Sequence, residues 1–398
     1  MKEALWSIAE SINQARPEAC FSVEYWDGDQ ISFGQPNISL TLKNKQCLKR
    51  IIRDGFFGLG ESYMSGDLDI KGDILELCRL GLSIDFASIR PSLATRIKMF
   101  IFYLLTLNSK FRSPSNISKH YDLGNDFYSL FLDESMTYSC AYFRNGTESL
   151  AEAQTEKYEH IARKLGLKQG QSLADIGCGW GGMLFHAAEN YGVEATGVTL
   201  SKEQYAYARD EIEKRGLKDQ VQVLYQDYRD LEGEFDRIVS IGMFEHVGKR
   251  YIGAFMKKMN SLLKKDGVGL LHSIGKDRPS ATDAWTTKYI FPGGYLPSLD
   301  EIVGGLGGVG FSILDVENLR KHYAHTLKLW ADNFEKKTET VREMFDESFV
   351  RRWRLFLGAS AAGFLDGETR LYQVLFSKGL NNDLPITREH VYAASSQS

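Results

Sequence analysis

From about residue 150 onward, short apolar runs alternate with longer amphipathic segments, and this alternation limits the chain to few folds. The apolar runs are predicted strands, and the segments between most of them are predicted helices. Strands that alternate with helices form a parallel sheet covered by helices on both faces, and ligands bind beyond the carboxyl ends of its strands. Two runs near the end of the chain predict an antiparallel pair that closes the sheet. The predicted strands are QSLADIG, VEATGVT, VQVLYQ, FDRIVSIG, VGLLHSIG, GFSILDVENL and RLYQVLFSK.

The composition of the 398 residues is that of a globular protein, with 43% hydrophobic and 25% charged residues. A net charge of −4 gives no general attraction to nucleic acid, so no nucleic-acid partner is expected. The five cysteines form no CxxC pair and no metal-like spacing, which favours a reducing cytoplasm and no metal site. No apolar run approaches the roughly 20 residues that span a bilayer, and the N-terminus resembles an amphipathic helix more than a signal peptide.

Three segments are predicted along the chain. Residues 1–85 contain hairpin, strand and helix signals and form a small α+β domain. Residues 86–116 are a basic and apolar linker, free of acidic side chains, with the uncharged run MFIFYLLTL at its centre. This run suits either a linker helix packed on a neighbouring domain or attachment to a membrane surface. Residues 117–398 form the catalytic domain.

A glycine-rich loop follows the first strand of the α/β region. In LADIGCGWGG, the glycines at 177, 179, 181 and 182 allow the backbone to approach a ligand closely. A dinucleotide site is one interpretation of this loop. Asp175 precedes the loop, the second strand ends without the acid that usually binds a nicotinamide ribose, and an acidic turn, QDYRD, follows the third strand. These details favour an S-adenosylmethionine (SAM) methyltransferase.

A set of long motifs carries a more specific resemblance. ISKHYDLGNDFYSLFLDESMTYSCAYF, DIGCGWGG, GVTLSKEQ, QDYRDL, SIGMFEHVG, LLHSIG and KYIFPGGYLPS occur in this order. From about residue 115 to 380 the chain resembles the cyclopropane-fatty-acyl-phospholipid synthases and the related cyclopropane mycolic acid synthases. The resemblance implies a Rossmann-like class I SAM methyltransferase sheet. It also implies transfer of a methylene from SAM to a cis double bond of an acyl chain, and the N-terminal segment resembles the extra domain of the phospholipid-acting members.

The same resemblance implies a set of catalytic residues. In the family, a bicarbonate ion takes a proton from the new methyl group so that the ring can close. Its holders correspond here to the side chains of Glu245, His272 and Tyr323 and to the backbone at Cys140 and Ile274. Taken singly, a glutamate such as Glu245 is usually a solvated or capping residue, and a histidine such as His272 is more often a satisfied core histidine. A carboxylate beside bicarbonate also requires a proton on one of the two groups, so Glu245 is either protonated or shares a proton with the ion.

The resemblance also implies the residues that bind SAM. They come from the TYSCAYF segment, the glycine loop, the end of the second strand and the two turns that follow. Asp227 and Tyr228 depart from the mycolic acid enzymes, which have Gly-Trp at the adenine edge. The ten implied contacts are Tyr138, Ser139, Gly177, Gly179, Thr199, Leu200, Gln204, Asp227, Tyr228 and Ile241.

The implied partner is a membrane phospholipid with an unsaturated acyl chain. The aromatic segment WTTKYIFPGGYLP is either a wall of the acyl-chain pocket or core packing, and residues 351–364 form an amphipathic helix that packs on the sheet or meets headgroups. We expect a homodimer in the cytoplasm, peripheral on the inner face of the cytoplasmic membrane. The alternatives are a relative that adds a methyl branch, a small-molecule or rRNA methyltransferase, and a non-catalytic lipid-binding protein.

Overall fold

The computed structural model describes residues 1–83, 123–280 and 282–392, and these divide into two compact units. The first unit contains residues 1–83, Asp283–Pro292 and Leu327–Glu368, and the second contains the remaining described residues. Two segments of the predicted catalytic domain therefore pack with the N-terminal segment, and the compact units differ from the predicted boundaries in this respect. The predicted linker at 86–116 lies outside the described residues.

The first unit is built on a four-stranded sheet in the order β2-β1-β3-β4. The predicted hairpin is present, because β1 and β2 pair antiparallel, while β1 and β3 pair parallel. The strands are β1 Phe21–Glu24, β2 Gln30–Phe33, β3 Ile38–Leu42 and β4 Leu68–Lys71, and the helices of this part of the chain are α1 Lys2–Ala15, α2 Lys45–Met64 and α3 Ile74–Leu82. Gly55 kinks α2 with a φ of 56°, a conformation that glycine adopts readily.

The later helix α13, Glu347–Leu365, packs against α2 and α3. A Cβ on Gly358 would lie 2.8 Å from the Cγ2 of Ile74, so the glycine permits the close approach of α13 and α3. Arg351 of α13 donates to Asp69 Oδ1 at 2.9 Å. The sequence predicted α13 as an amphipathic helix, and its contacts with the N-terminal helices are a finding of the structure.

The second unit holds a seven-stranded sheet in the order β10-β11-β9-β8-β5-β6-β7. The five strands β5 to β9 pair parallel with their neighbours in this group, whereas β11 pairs antiparallel with both β9 and β10. The predicted α/β fold class is confirmed, including the antiparallel closing pair. The strands are β5 Ser172–Ile176, β6 Glu194–Thr199, β7 Val221–Tyr225, β8 Phe235–Ile241, β9 Leu263–Lys276, β10 Phe311–Asn318 and β11 Thr369–Lys378.

Helices cover the sheet of the second unit through two apolar clusters. One cluster joins side chains of α5, α6 and α7 to the sheet, and the other joins side chains of α8 and α10 to it. The remaining helices of the chain are α4 Asn125–Ser129, α5 Leu150–Leu165, α6 Gly182–Tyr191, α7 Lys202–Lys214, α8 Ile252–Leu262, α9 Ala284–Tyr289, α10 Leu299–Gly307, α11 Arg320–Glu335, α12 Thr338–Met344 and α14 Glu389–Tyr392. Local signals fix the ends of α5, where Ser149 and Glu152 form a capping box and Gly166 adopts the left-handed conformation.

The strand order reverses at β5, whose neighbours are β6 on one side and β8 on the other. Chain connections leave β5 and β8 toward opposite faces at such a point, which opens a crevice beyond the carboxyl ends of the two strands. The glycine loop follows β5 and Glu245 follows β8. The fold therefore brings the two motifs that the sequence singled out to the same edge of the sheet.

Candidate active site

The glycine loop between β5 and α6 is a cradle that side chains would fill. Gly177 and Gly179 have φ values of 90° and 56°, which favour glycine. A Cβ on Gly177 would lie 2.5 Å from Met243 Cγ, and one on Gly182 would lie 2.1 Å from the hydroxyl of Tyr158. The backbone N–H groups of Gly177 and Cys178 both donate to the carbonyl of Val198, which fixes the loop against β6.

This cradle opens into a cavity whose empty volume, including its mouth, is about 1090 Å³. Its lining comes from residues 135–139, α5, the end of β5, the glycine loop, the end of β6, the turn after β7 and the turn after β8. All ten predicted SAM contacts line it: Tyr138, Ser139, Gly177, Gly179, Thr199, Leu200, Gln204, Asp227, Tyr228 and Ile241. The structure thus brings these residues together, although they are spread over about a hundred positions of the chain.

A buried lysine and a buried aspartate lie at one side of the cavity. Lys157 is 1% exposed and donates to Ser139 Oγ at 2.9 Å. Burial lowers the pKa of Lys157 to about 7, and burial raises the pKa of Asp175 to about 7 although the charge of Lys157 opposes that rise. Asp175 Oδ1 has no hydrogen-bond partner among the described residues. This arrangement offers both a cationic donor and a carboxylate to a ligand that carries an ammonium and a carboxylate group.

Sequence reasoning used Asp175 only as a marker of the loop and missed Lys157. The available signal was the position of Lys157 on the apolar face of α5, three residues after Gln154 and four before Ile161, all of which are buried. A lysine on such a face has either a structural ion pair or a polar ligand.

Other residues of the cavity lining carry neutral polar groups and one held carboxylate. Thr199 Oγ1 donates to Gln204 Oε1 at 2.8 Å, and the side chain of Ser201 caps α7 at Gln204. Arg229 donates to both oxygens of Asp227, at 2.7 and 2.6 Å. These bonds fix the groups before a ligand arrives, which lowers the cost of ordering them on binding.

Glu245 lies in a 3₁₀ turn directly after β8 and is buried. The N–H of Ile274 donates to its Oε1 at 2.6 Å, whereas its Oε2 has no hydrogen-bond partner among the described residues. Burial raises the pKa of Glu245 to about 7, although the Ile274 bond lowers it. The backbone of Ile274, predicted to hold the bicarbonate, therefore acts on the site through the Glu245 carboxyl in this structure.

His272 lies on β9, next to the end of β8. Ile241 and His272 are paired in the ladder, and the N–H of Gly242 donates to the carbonyl of His272 at 2.9 Å. The imidazole is 1% exposed, its Nδ1 faces Gln373 Nε2 at 3.2 Å, and its Nε2 has no partner within the described part of the chain. Burial holds the pKa of His272 well below its usual range, so the ring is neutral at pH 7.

Cys140 is fully buried, and burial raises the pKa of its thiol, so it is not a thiolate. Two bonds connect its neighbours to α11. The N–H of Ala141 donates to Thr326 Oγ1 at 3.0 Å, and the N–H of Phe143 donates to His322 Nδ1 at 3.0 Å. Tyr323, half-buried, lies between these two acceptors in the sequence, so its helix is tied to the segment that carries Cys140.

Residues 285–291 of the aromatic segment predicted as a wall of the acyl-chain pocket make their contacts within the first unit. Trp285 is fully buried, and a Cβ on Gly60 of α2 would lie 2.4 Å from its Nε1. Lys288 donates to Glu61 at 2.8 Å, and the rings of Phe291 and Phe356 pack edge to face at 5.6 Å. The contacts of Trp285 and Phe291 are those of the core-packing alternative.

The family model described as Mycolic acid cyclopropane synthetase matches residues 108–374, two thirds of the chain, and a domain of unknown function matches residues 10–83. The chain belongs to the family of cyclopropane synthases. With its confirmed class I sheet, it is a SAM-dependent methyltransferase of that family, and SAM is its cofactor. The cradle, the cavity and the polar groups that line it fit this cofactor.

The relatives support this membership over most of the chain. The chain is 38% identical to the cyclopropane-fatty-acyl-phospholipid synthase of Escherichia coli K12 over 359 residues, which is 89% of this chain and 92% of the relative. It is 35% identical to a probable fatty acid methyltransferase of Pseudomonas putida, over 93% of this chain and 95% of the relative. A crystal structure of a mycolic acid cyclopropane synthase complexed with SAH and CTAB matches with a TM-score of 0.64 and 35% identity, covering 67% of this chain and 98% of that one.

Proposed function

We propose that this cyclopropane synthase adds a methylene group to the cis double bond of an unsaturated acyl chain in a membrane phospholipid. The observation that carries the proposal is a pair of buried polar atoms, Glu245 Oε2 in the turn after β8 and His272 Nε2 on the neighbouring strand β9. Neither atom has a hydrogen-bond partner among the described residues. A buried polar atom without a partner is costly, and we infer a polar ligand for these two.

SAM supplies an electrophilic methyl group. The protein holds the cofactor and the acyl chain and excludes water. Because an alkene is a weak nucleophile, it must be held in line with the methyl group. We assign the amino-acid end of the cofactor to Ser139, Lys157 and Asp175, and its nucleoside to Thr199, Gln204 and the Asp227–Arg229 pair.

Addition of a methyl to the double bond leaves a positive charge on the acyl chain, and a proton of the new methyl must leave before the ring closes. A carboxyl group beside this charge stabilises it once ionised. Because burial raises the pKa of Glu245 to about 7, this group exchanges a proton readily near neutral pH. We propose that Glu245, His272 and Tyr323, with the backbone at Cys140, hold a bicarbonate ion as the proton acceptor, and that Ile274 holds Glu245.

The proposed substrate is a phospholipid acyl chain. The E. coli relative is named for that substrate and shares the N-terminal segment as well as the catalytic region. An esterified chain cannot leave the bilayer cheaply, because each buried methylene contributes ~0.8 kcal/mol. We therefore propose a peripheral enzyme on the inner face of the cytoplasmic membrane that works as a homodimer and uses residues 86–116 for approach. No helix among the residues that the structure covers has the length and apolarity to cross a bilayer.

The test is incubation of the protein with SAM and vesicles of cis-unsaturated phospholipid, followed by mass analysis of the released fatty acids. We expect a gain of one CH2 and loss of the alkene. Vesicles of saturated phospholipid are the control and should gain nothing. Methyl transfer to neither lipid, with transfer to a polar small molecule or RNA instead, contradicts the proposal.

A second candidate product is a methyl-branched chain, favoured by the identity with the Pseudomonas protein named as a fatty acid methyltransferase. The same assay separates the two. Both products gain one CH2, but proton loss without ring closure keeps an alkene that ozonolysis cleaves, whereas a cyclopropane resists it.

A further inference from the structure

A row of buried hydrogen bonds leads from α5 to the catalytic histidine. Lys164 Nζ donates to Gln373 Oε1 at 2.9 Å, and Gln373 Nε2 lies 3.2 Å from His272 Nδ1. Gln373 faces His272 across the β9–β11 ladder and is fully buried, and Lys164 is 1% exposed. No water is needed to connect these three side chains, so their hydrogen-bonding roles constrain one another.

Lys164 decides which way the glutamine amide points. An ammonium group has three donors and no acceptor, so only the amide oxygen of Gln373 can face it. Lys164 also donates to Glu317 Oε2, and this oxygen lies 2.7 Å from His160 Nε2. Rotation of the amide by half a turn would set two buried donors against each other, which is costly in a dry interior. The NH2 of Gln373 is thereby directed at His272.

The direction of the amide then determines which nitrogen of the imidazole carries the proton. Since Gln373 donates, Nδ1 must accept and carries no proton. A neutral imidazole has one N–H. We propose that Lys164 and Gln373 are positioning residues that hold His272 in the tautomer protonated on Nε2, so that this nitrogen, which has no partner among the described residues, is a permanent hydrogen-bond donor.

This geometry suits an anion rather than a cation at the orphaned Nε2. The catalytic consequence rests on the proposed function, because a donor at Nε2 and a carboxyl at Glu245 together complement an ion with both acceptor and donor oxygens. The alternative of a doubly protonated ring is opposed by burial and by the positive charges of Lys157 and Lys164, which lower the pKa of His272. The tautomer itself is independent of what the enzyme makes.

The first experiment measures the tautomer in the unmodified protein. Full-length protein labelled with ¹⁵N-histidine is examined by long-range ¹H–¹⁵N correlation spectra, in which protonated and unprotonated ring nitrogens have distinct shifts, and His272→Gln assigns the signals. We expect an unprotonated Nδ1 and a protonated Nε2 for His272. The reverse pattern overturns the proposal, as does an equal mixture of the two tautomers.

The second experiment reverses the donor. Gln373→Glu keeps the shape of the side chain but presents a carboxylate to Nδ1, so the ring should become protonated at Nδ1; a ring that stays unprotonated there overturns the proposal. Lys164→Met is the second variant, in which the amide is released and both tautomers should appear. Gln220→Glu and Lys168→Met make the same changes at exposed positions and should leave the spectrum as it is.

Activity separates this inference from the proposed function. Both buried variants should retain SAH binding within about threefold, because neither residue lines the cofactor cavity, while ring formation falls about tenfold or more. A correct tautomer switch with unchanged ring formation would support the positioning role and contradict the role assigned to His272 in the reaction. An unchanged tautomer with lost activity would contradict the positioning role alone.

Discussion

Glu245→Gln tests the central carboxyl through stability as well as activity. The glutamine keeps the oxygen that accepts from the N–H of Ile274 but cannot ionise. Because burial raises the pKa of Glu245 in the folded protein, ionisation of the wild-type side chain destabilises the fold. Below the ordinary pKa of 4.5 this cost is absent, and it is fully developed once the pH has passed the folded-state pKa of about 7.

The size of the effect follows from the two pKa values. A group whose pKa rises from 4.5 to about 7 on folding loses about 3 kcal/mol of stability at pH 8 and under about 1 kcal/mol at pH 5. The glutamine carries a buried NH2 where Oε2 has no partner, and this adds a cost that does not depend on pH. The free energy of unfolding of the variant, relative to that of the wild type, should therefore rise by about 2 kcal/mol between pH 5 and pH 8.

The assay is urea unfolding of both proteins at pH 5 and pH 8, without cofactor, together with SAH binding and ring formation at pH 8. Glu232→Gln, at an exposed position, is the matched control. We expect the variant to bind SAH as the wild type does and to lose ring formation by about a hundredfold. A stability difference that is the same at both pH values would refute the reasoning, since it would mean that the folded protein does not disfavour the ionised form of Glu245.

Three further predictions concern the cavity. Gly177→Ala should weaken SAH binding about tenfold or more in calorimetry, since its Cβ would meet Met243 at 2.5 Å. Gly170→Ala is the control: with φ 77° and open space around it, this variant should show only a backbone strain of ~1 kcal/mol in stability. Equal effects of the two variants on SAH binding would count against the cradle. Lys157→Met should weaken SAH binding about tenfold, because it removes the donor to Ser139. Lys214→Met, at an exposed position, should leave SAH binding unchanged. Unchanged binding by Lys157→Met would contradict the assignment of Lys157 to the cofactor site. In the folded protein, iodoacetamide should label half-buried Cys20 long before Cys140, whose thiol pKa burial raises; rapid alkylation of Cys140, followed by mass spectrometry, would contradict the buried neutral thiol.

The sheet of the second unit could be predicted because its signals are local. Each strand is an apolar run, each glycine loop or cap is a few residues long, and the right-handed crossovers leave few topologies. The first unit could be predicted only in part. Asp283–Pro292 and Leu327–Glu368 join it through contacts such as Arg351 with Asp69 and Gly358 with Ile74, which connect positions nearly 300 residues apart and leave no local pattern.

The site shows the same division. The glycine loop and the Glu245 turn carry their own signatures, and the cavity gathers all ten predicted cofactor contacts. Lys157, Lys164 and Gln373 carried no motif, because a buried lysine or glutamine has meaning only through its partners on other elements. Only the three-dimensional structure shows that Gln373 faces His272 across the β9–β11 ladder and that Lys157 donates to Ser139.

The division of the chain between its two units has a consequence for how the protein is made. β11, residues 369–378, lies between β9 and β10, and α13 completes the packing of α2 and α3. A ribosome must therefore release residues up to 365 before the first unit can close and up to 378 before the sheet of the second is complete, although domains generally fold as they emerge, N-terminal first. The faces of α2 and α3 that α13 covers stay unburied until that helix has been translated.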